Sequence, residues 1–294
     1  MRMLIGVDGS KSSDAAIQEA ARRPWPEGSE FSVVTVVDPF FFTRAPALLE
    51  EAKKNTMQSL EEQAKPLVEA GWRVSADVIL DNPRHALPRV ASKWKADLIL
   101  LGSHGRGAMG RLLLGSTAQA VLRHATCSVE IVRKPRGKES AEGGIRVLIP
   151  TDGSEYADAA MQSVAERPWP NGSEFLIVAS PEYPVLAGEY PYFPTEHLDV
   201  VMKSGREHAN ESAKSGAGLL AKTGLKASSL VTEVPDSPAQ AILAAGEAWK
   251  ADLIVMGSHG RRGFDRIILG SVSETVALHA TCSVEVIRKP LAVL

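Results

Sequence analysis

The sequence predicts an α/β fold of two tandem doubly wound domains, each a five-stranded parallel sheet with helices on both faces. Three observations predict it: an internal repeat that runs nearly the length of the chain, strands alternating with helices inside each copy, and strands that are apolar throughout instead of alternating with polar residues. The repeat is plain in the text of the chain. Arg23-Pro-Trp-Pro-Glu-Gly-Ser-Glu-Phe31 returns as Arg167-Pro-Trp-Pro-Asn-Gly-Ser-Glu-Phe175, and Val7-Asp-Gly-Ser10 returns as Thr151-Asp-Gly-Ser154, both at an offset of 144. Trp94-Lys-Ala-Asp-Leu-Ile99 returns from Trp249 and Gly102-Ser-His-Gly-Arg106 from Gly257, now offset by 155. The second copy has gained 11 residues between these matches, placed around Tyr183 to Thr195, where it is rich in Pro and Tyr. Pro135 to Gly144 is polar, glycine-containing and aperiodic, a linker composition that divides the chain into domains 1–139 and 140–294.

Within the first copy, Met3 to Val7 is an apolar run of strand length, and Ser12 to Arg22 places Ala15, Ala16, Glu19 and Ala20 at helical spacing after capping serines. Phe31 to Val37 is a β-branched strand. Leu49, Ala52, Met57, Leu60, Ala64 and Leu67 mark a long amphipathic helix, followed by a strand at Val74 to Leu80 and a helix opening at Pro83. Leu98 to Leu101 is a fully apolar strand, Ser116 to His124 a helix, and Val129 to Val132 a final strand. Right-handed crossovers would wind these into a parallel sheet whose ligands bind beyond the carboxyl ends of the strands.

Composition narrows the function. Lys+Arg 33 against Asp+Glu 35 leaves no basic field for nucleic acid or an anionic membrane, and no apolar run approaches the ~18 residues of a membrane span. The N-terminus meets Asp8 too early for a signal peptide, so a cytoplasmic protein is expected. Cys127 and Cys282 both stand between Ala-Thr and Ser-Val-Glu, one position seen twice; small buried residues leading into a strand are expected there, not a disulfide or a catalytic thiol.

The chemistry lies in the loop after the fourth strand. Gly102-Ser-His-Gly105, nine residues and Gly115-Ser116 are matched by Gly257-Ser-His-Gly260, nine residues and Gly270-Ser271. Glycines at a strand exit let an anion approach the backbone, and a helix starting at Gly115 or Gly270 aims unpaired N–H groups and its positive dipole end at that anion. A glycine turn with an ordinary Ser N-cap is the bland alternative, which two copies with identical spacing make a poor account. There is no Gly-x4-Gly-Lys-Ser/Thr loop. The Gly-x-Gly-x-x-Gly letters at Gly105 to Gly110 follow the wrong strand and are broken in the second copy.

Asp at the end of the first strand followed by Gly-x2-Gly-x9-Gly-Ser resembles the pattern of the universal stress proteins, and the resemblance covers both copies. It implies an adenine nucleotide alpha hydrolase-like fold that binds ATP, with Mg²⁺ as the accompanying cation. Asp8 and Asp152 would hold ribose, Val36 and Ser180 would meet adenine through the backbone, and Gly102, Gly105, Gly115, Ser116, Gly257, Gly260, Gly270 and Ser271 would lie on phosphates. The flanking Val7, Arg106, Thr117, Pro150, Arg261, Val272 and Ser273 complete the candidate set. The copies depart from the pattern in different places. The first has Gly6-Val7 where the second keeps Pro150-Thr151, and Ala118 where the second has a hydroxyl at Ser273; in the second, Ser180 is followed by Pro181.

Several residues keep two readings. Asp8 and Asp152 could instead cap the following helix. His104 and His259 have no second ligand at metal spacing. Arg106, Arg111, Arg261, Arg262 and Arg266 could reach phosphate oxygens or simply face solvent. Phe40-Phe41-Phe42, and Tyr183, Tyr190, Tyr192 and Phe193, could form a lid, a protein contact, or packing between the domains. The edge strands Val129 to Val132 and Val284 to Ile287 need cover and would pair with each other, an intramolecular pseudo-twofold dimer, with a homodimer open beyond that. The expected function is an ATP-binding stress-response regulator and not an enzyme; weak ATP hydrolysis or phosphoryl transfer is the alternative.

Overall fold

The computed structural model describes residues 1–105, 114–133, 143–181, 197–232, 237–260 and 269–288. The first domain runs β1 (Arg2–Val7), α1 (Lys11–Arg22), β2 (Glu30–Val37), a 3₁₀ turn (Pro39–Phe42), α2 (Ala47–Glu69), β3 (Arg73–Leu80), α3 (Pro83–Trp94), β4 (Leu98–Gly102), α4 (Ser116–His124) and β5 (Ser128–Val132). The second repeats it as β6 (Arg146–Thr151), α5 (Glu155–Ala165), β7 (Glu174–Ala179), α6 (Leu198–Lys222), β8 (Lys226–Val231), α7 (Pro238–Ala248), β9 (Leu253–Gly257), α8 (Ser271–His279) and β10 (Ser283–Ile287). Every strand and helix read from the first copy is present.

Both halves belong to one ten-stranded sheet, ordered β3-β2-β1-β4-β5-β10-β9-β6-β7-β8. All neighbours are parallel except β5 and β10, which pair antiparallel with Glu130 opposite Glu285. The two edge strands therefore cover each other, as expected, and strand order reverses between β1 and β4 and between β6 and β9, where a doubly wound sheet opens a crevice.

Strand register refines the insertion. Glu30 pairs with Arg73 and Glu174 with Lys226, so β8 stands 153 residues after β3, while Pro238 stands 155 after Pro83. Nine of the 11 extra residues enter between β7 and β8 and two between β8 and α7, not all around Tyr183 to Thr195. Motif matches on either side of divergent sequence bound an insertion without locating it. Tyr183 to Thr195, the boundary at 139 and 140, and Tyr190, Tyr192 and Phe193 lie outside the described residues.

On one face of the sheet a single hydrophobic cluster runs across the domain seam, joining Ile99, Val121, Val129 and Ile131 to Ile254, Val276, Val284 and Val286. On the other face the core divides in two, one cluster around Phe31 and Leu67 and one around Phe175 and Leu220. Buried charge stands between them. Arg23 donates from Nη1 and Nη2 to Glu130 at 2.8 and 2.7 Å and from Nη2 to Glu19 at 2.9 Å. Arg167 donates from Nη1 to both oxygens of Glu285 at 2.9 and 3.0 Å. Each guanidinium also lies over its own tryptophan, Trp25 and Trp169. The repeated Arg-Pro-Trp motif is thus, within each domain, a clasp on the glutamate that faces its counterpart across the seam.

Three carboxylates, Glu19, Glu130 and Glu285, meet two guanidiniums here. Burial, with Glu285 and Glu19 nearby, holds the Glu130 carboxyl above its ordinary value against the pull of Arg23, while the carboxylates push Arg23 upward against its burial. A carboxyl whose folded value is raised favours the fold while protonated, and that contribution is lost as pH rises from 4.5 through the raised value. Urea unfolding across a pH series should therefore show the wild type losing stability relative to Glu130→Gln as pH climbs through that window.

The aromatic turn does not pack between the domains. Phe40 and Phe41 are 72% and 81% exposed and stack edge to face on each other, so packing between domains is ruled out for this copy. Cys282 is buried and Cys127 partly buried, neither in a disulfide, and burial pushes the Cys127 thiol up to about 11, far from a reactive thiolate. No helix among the described residues is long and apolar enough to cross a membrane.

Candidate functional site

Two matching cavities open at the carboxyl edge, one in each domain, at the strand-order reversal, and a further one of about 480 Å³ adjoins Asp152 and Ser180 against α6 in the second domain. The first is about 480 Å³ and the second about 400 Å³, within the range of small-molecule sites. Val7, Asp8, Val36, Gly102, Gly105, Gly115, Ser116 and Thr117 all line the first. Pro150, Asp152, Ser180, Gly257, Gly260, Gly270, Ser271, Val272 and Ser273 all line the second. Arg106 and Arg261, with Arg111, Arg262 and Arg266, lie outside the described residues.

The aspartates are set by the turn that follows each strand. Gly9 and Gly153 sit at φ 75, a conformation that favours glycine, and reverse the chain so that Ser10 N–H donates to Asp8 Oδ1 and Ser154 N–H to Asp152 Oδ1, each at 3.0 Å. Helix capping falls to the serines: Ser10 accepts from Ser13 N–H and Ser154 from Ala157 N–H. The aspartates do not cap these helices.

The glycine loops end differently. Gly115 and Gly270 are themselves the N-caps of α4 and α8, with no side-chain acceptor, whereas α1, α3, α5 and α7 are capped by Ser10, Asn82, Ser154 and Ser237. Ser116 and Ser271 are first-turn residues, so the reading of an ordinary serine cap does not hold. The N–H of Gly115 is engaged with Ser103 O at 2.8 Å and that of Gly270 with Ser258 O at 2.9 Å. The groups that remain for an anion are therefore the N–H groups one to three residues further on, at the positive end of each helix dipole.

A family model, universal stress protein family, matches residues 1–133 and again 145–288. The chain belongs to the universal stress protein family. A universal stress protein of Mycolicibacterium smegmatis is 28% identical over 308 residues, covering 97% of this chain and 96% of that one. One from Mycobacterium tuberculosis is 26% identical over 298 residues, covering 98% and 97%. Among solved structures, a universal stress protein from Archaeoglobus fulgidus superposes with a TM-score of 0.69 at 21% identity over 98% of both chains, a likeness of fold.

In this universal stress protein the first two glycines of each loop have their own steric reasons. A Cβ on Gly102 would stand 2.4 Å from the backbone carbon of Ser12, and one on Gly257 2.6 Å from the backbone oxygen of Tyr156. The first glycine is thus demanded by α1 or α5 crossing the strand end. A Cβ on Gly105 or Gly260 would lie 2.7 Å from the Oδ2 of Asp8 or Asp152, so the second glycine keeps the carboxylate beside the loop. Gly102→Ala should cost about 1–3 kcal/mol in urea unfolding through overpacking, with α1 displaced, whether or not ligand is present.

Ser273, read as a second phosphate hydroxyl, is buried and donates to Gly257 O at 2.8 Å, bracing the end of β9. Sequence reasoning missed the wall opposite the sheet, Pro83 and Leu87 in one domain and Pro238 and Ile242 in the other. The proline openings of α3 and α7 were the available signal. His104 and His259 also line the cavities; each Nδ1 meets the preceding serine hydroxyl at 2.9 and 3.0 Å, and each Nε2 is buried without a hydrogen bond. No cluster of three or more His, Cys, Asp or Glu that could hold a metal occurs among the described residues.

Proposed function

We propose that this universal stress protein binds ATP in both cavities and acts as a cytoplasmic regulator of the stress response, its occupied and empty forms presenting different surfaces to a partner. The observation that carries the reading is the cradle present twice: a helix start with no side-chain cap, facing an aspartate held at a strand end, beside an apolar wall. Val36 and Leu87, or Ile242 and Met256, suit a flat base; Asp8 or Asp152 suits ribose hydroxyls; the first turns of α4 and α8 suit phosphates. Mg²⁺ would enter with the phosphates and keep much of its water, since protein donors for a dedicated metal cage are missing among the described residues.

We read the sites as binding sites without turnover. Isothermal titration of nucleotide-stripped protein with ATP and Mg²⁺ tests the reading, with two sites per chain expected; absence of binding heat sinks it. Phosphate release above that of a Gly115→Asp, Gly270→Asp double variant would replace it with the weak hydrolase reading.

A further inference from the structure

We propose that Arg133 and Arg288 are positioning residues that each complete the cradle of the opposite domain and so couple the two sites, an inference resting on the binding function above. Both residues directly follow the last strand of their own domain. Neither contributes to its own cradle; each reaches across the seam.

The helices that form the cradles are short. α4 and α8 are nine residues each, about 13 Å long, so whatever fixes the last turn also fixes the first. Their N-termini carry no side-chain cap, and their last carbonyls need donors from elsewhere. Arg288 of the second domain supplies them to α4, donating from Nη2 to Leu122 O at 2.8 Å and to Arg123 O at 3.2 Å. Arg133 of the first domain does the same for α8, donating from Nη2 to Ala277 O and to Leu278 O, and from Nη1 to Cys282 O at 3.4 Å. The backbones are pinned in matching fashion, Arg288 N–H to Ser128 Oγ and Arg133 N–H to Ser283 Oγ. Guanidiniums at helix C-termini also complement the dipole that the cradle uses at the other end.

The residues just before Arg133 and Arg288 touch the glycine loops of their own domains through the main chain. Ile287, next to Arg288, accepts from Ser258 N–H at 3.0 Å, and Val132, next to Arg133, accepts from Ser103 N–H at 3.0 Å. One continuous path therefore leads from the first cradle through α4, Arg288 and Ile287 to the loop of the second cradle. Its mirror leads from the second cradle through α8, Arg133 and Val132 to the loop of the first. A ligand that seats α4 firmly favours one placement of Arg288, and with it one placement of the other loop.

The test is a crossed one. With the second site closed by Gly270→Asp, Arg288→Ala should weaken ATP binding at the first site by about threefold to tenfold, the worth of a partly buried cation at a helix C-terminus, and Arg133→Ala should not. With the first site closed by Gly115→Asp the roles should exchange. Arg288→Lys should restore part of the loss by keeping the charge. With both sites open, the Arg133→Ala, Arg288→Ala double variant should bind two ATP molecules independently, whereas the parent shows interaction between them. Hydrogen exchange without nucleotide reads the same contacts: protection of α4 amides should fall in Arg288→Ala and that of α8 amides in Arg133→Ala. Each alanine weakening its own domain's site, or leaving both sites unchanged, would overturn the proposal, as would unchanged exchange in the opposite helix. If the parent binds no ATP, the functional reading fails, and the exchange arm still decides whether the arginines hold the helices across the seam.

Discussion

Arg23→Ala is expected to lower the unfolding free energy by about 3–5 kcal/mol, read from urea denaturation at neutral pH, the largest single-site loss anticipated in this chain. Arg23 and Glu130 are both almost wholly buried, with side chains 3% and 0% exposed. Truncating the arginine leaves Glu130 facing Glu285 across the antiparallel pair, with Glu19 close by and only Arg167 to answer three carboxylates. The cost is that of stranded charge and not the worth of the pair, because bringing both charges out of water in the wild type already offsets much of their attraction. That distinction is measurable. Arg23→Ala combined with Glu130→Leu should be less destabilised than Arg23→Ala alone; if the double variant is worse by the full sum of both single losses, the clasp is a net source of stability and the present account is wrong.

Gly115→Asp should abolish nucleotide binding in the first domain while sparing the second, a loss of more than about 100-fold. Gly115 adopts φ −61 and ψ 148, open to any residue, and an added Cβ would meet its nearest neighbour, Ser103 O, at 3.4 Å. The side chain is therefore accommodated without moving the backbone, and Gly115→Ala serves as the steric control. A carboxylate there would sit at the mouth of the helix dipole, where one unit charge about 4 Å from another costs on the order of 4 kcal/mol at an effective dielectric near 20. Titration should then count one ATP per chain. Two remaining sites, or an equal loss in the alanine control, would show that the phosphates lie elsewhere. The matching position in the second domain is tighter, with Ser258 O only 3.0 Å from an added Cβ at Gly270, so the first domain gives the cleaner electrostatic test.

The repeat, the doubly wound topology and the glycine loops of both cavities were legible from spacing, while Asp8, Val36, Asp152 and Ser180 rested on the family resemblance and the wall at Pro83, Leu87, Pro238 and Ile242 went unread. Spacing records which residues return together, and that suffices when a site is assembled from strand ends and the loops behind them. The role of each residue was less legible. Gly102 and Gly105 look alike in sequence, yet one is small because a helix backbone crosses it and the other because an aspartate leans on it, a difference set by partners about 90 residues away. Glu130 was hidden inside a run otherwise suited to an apolar strand, Ser-Val-Glu-Ile-Val, and its burial makes sense only once Arg23 is seen to reach it. Arg133, between the last strand and the linker, carries no signal in the sequence until the other domain is packed beside it. Ser273 could not be sorted from a ligand hydroxyl because its acceptor, Gly257 O, is a main-chain atom that no side-chain pattern reports.

The antiparallel pairing of β5 with β10 also fixes how the protein responds to dilution. Both strands sit on one polypeptide, so their meeting is intramolecular and independent of protein concentration. The clasp and the crossed arginines persist in a cell holding a handful of copies as they do in a concentrated sample. If the two cavities bind nucleotide as proposed, a signal passed across the seam needs no second copy of the chain.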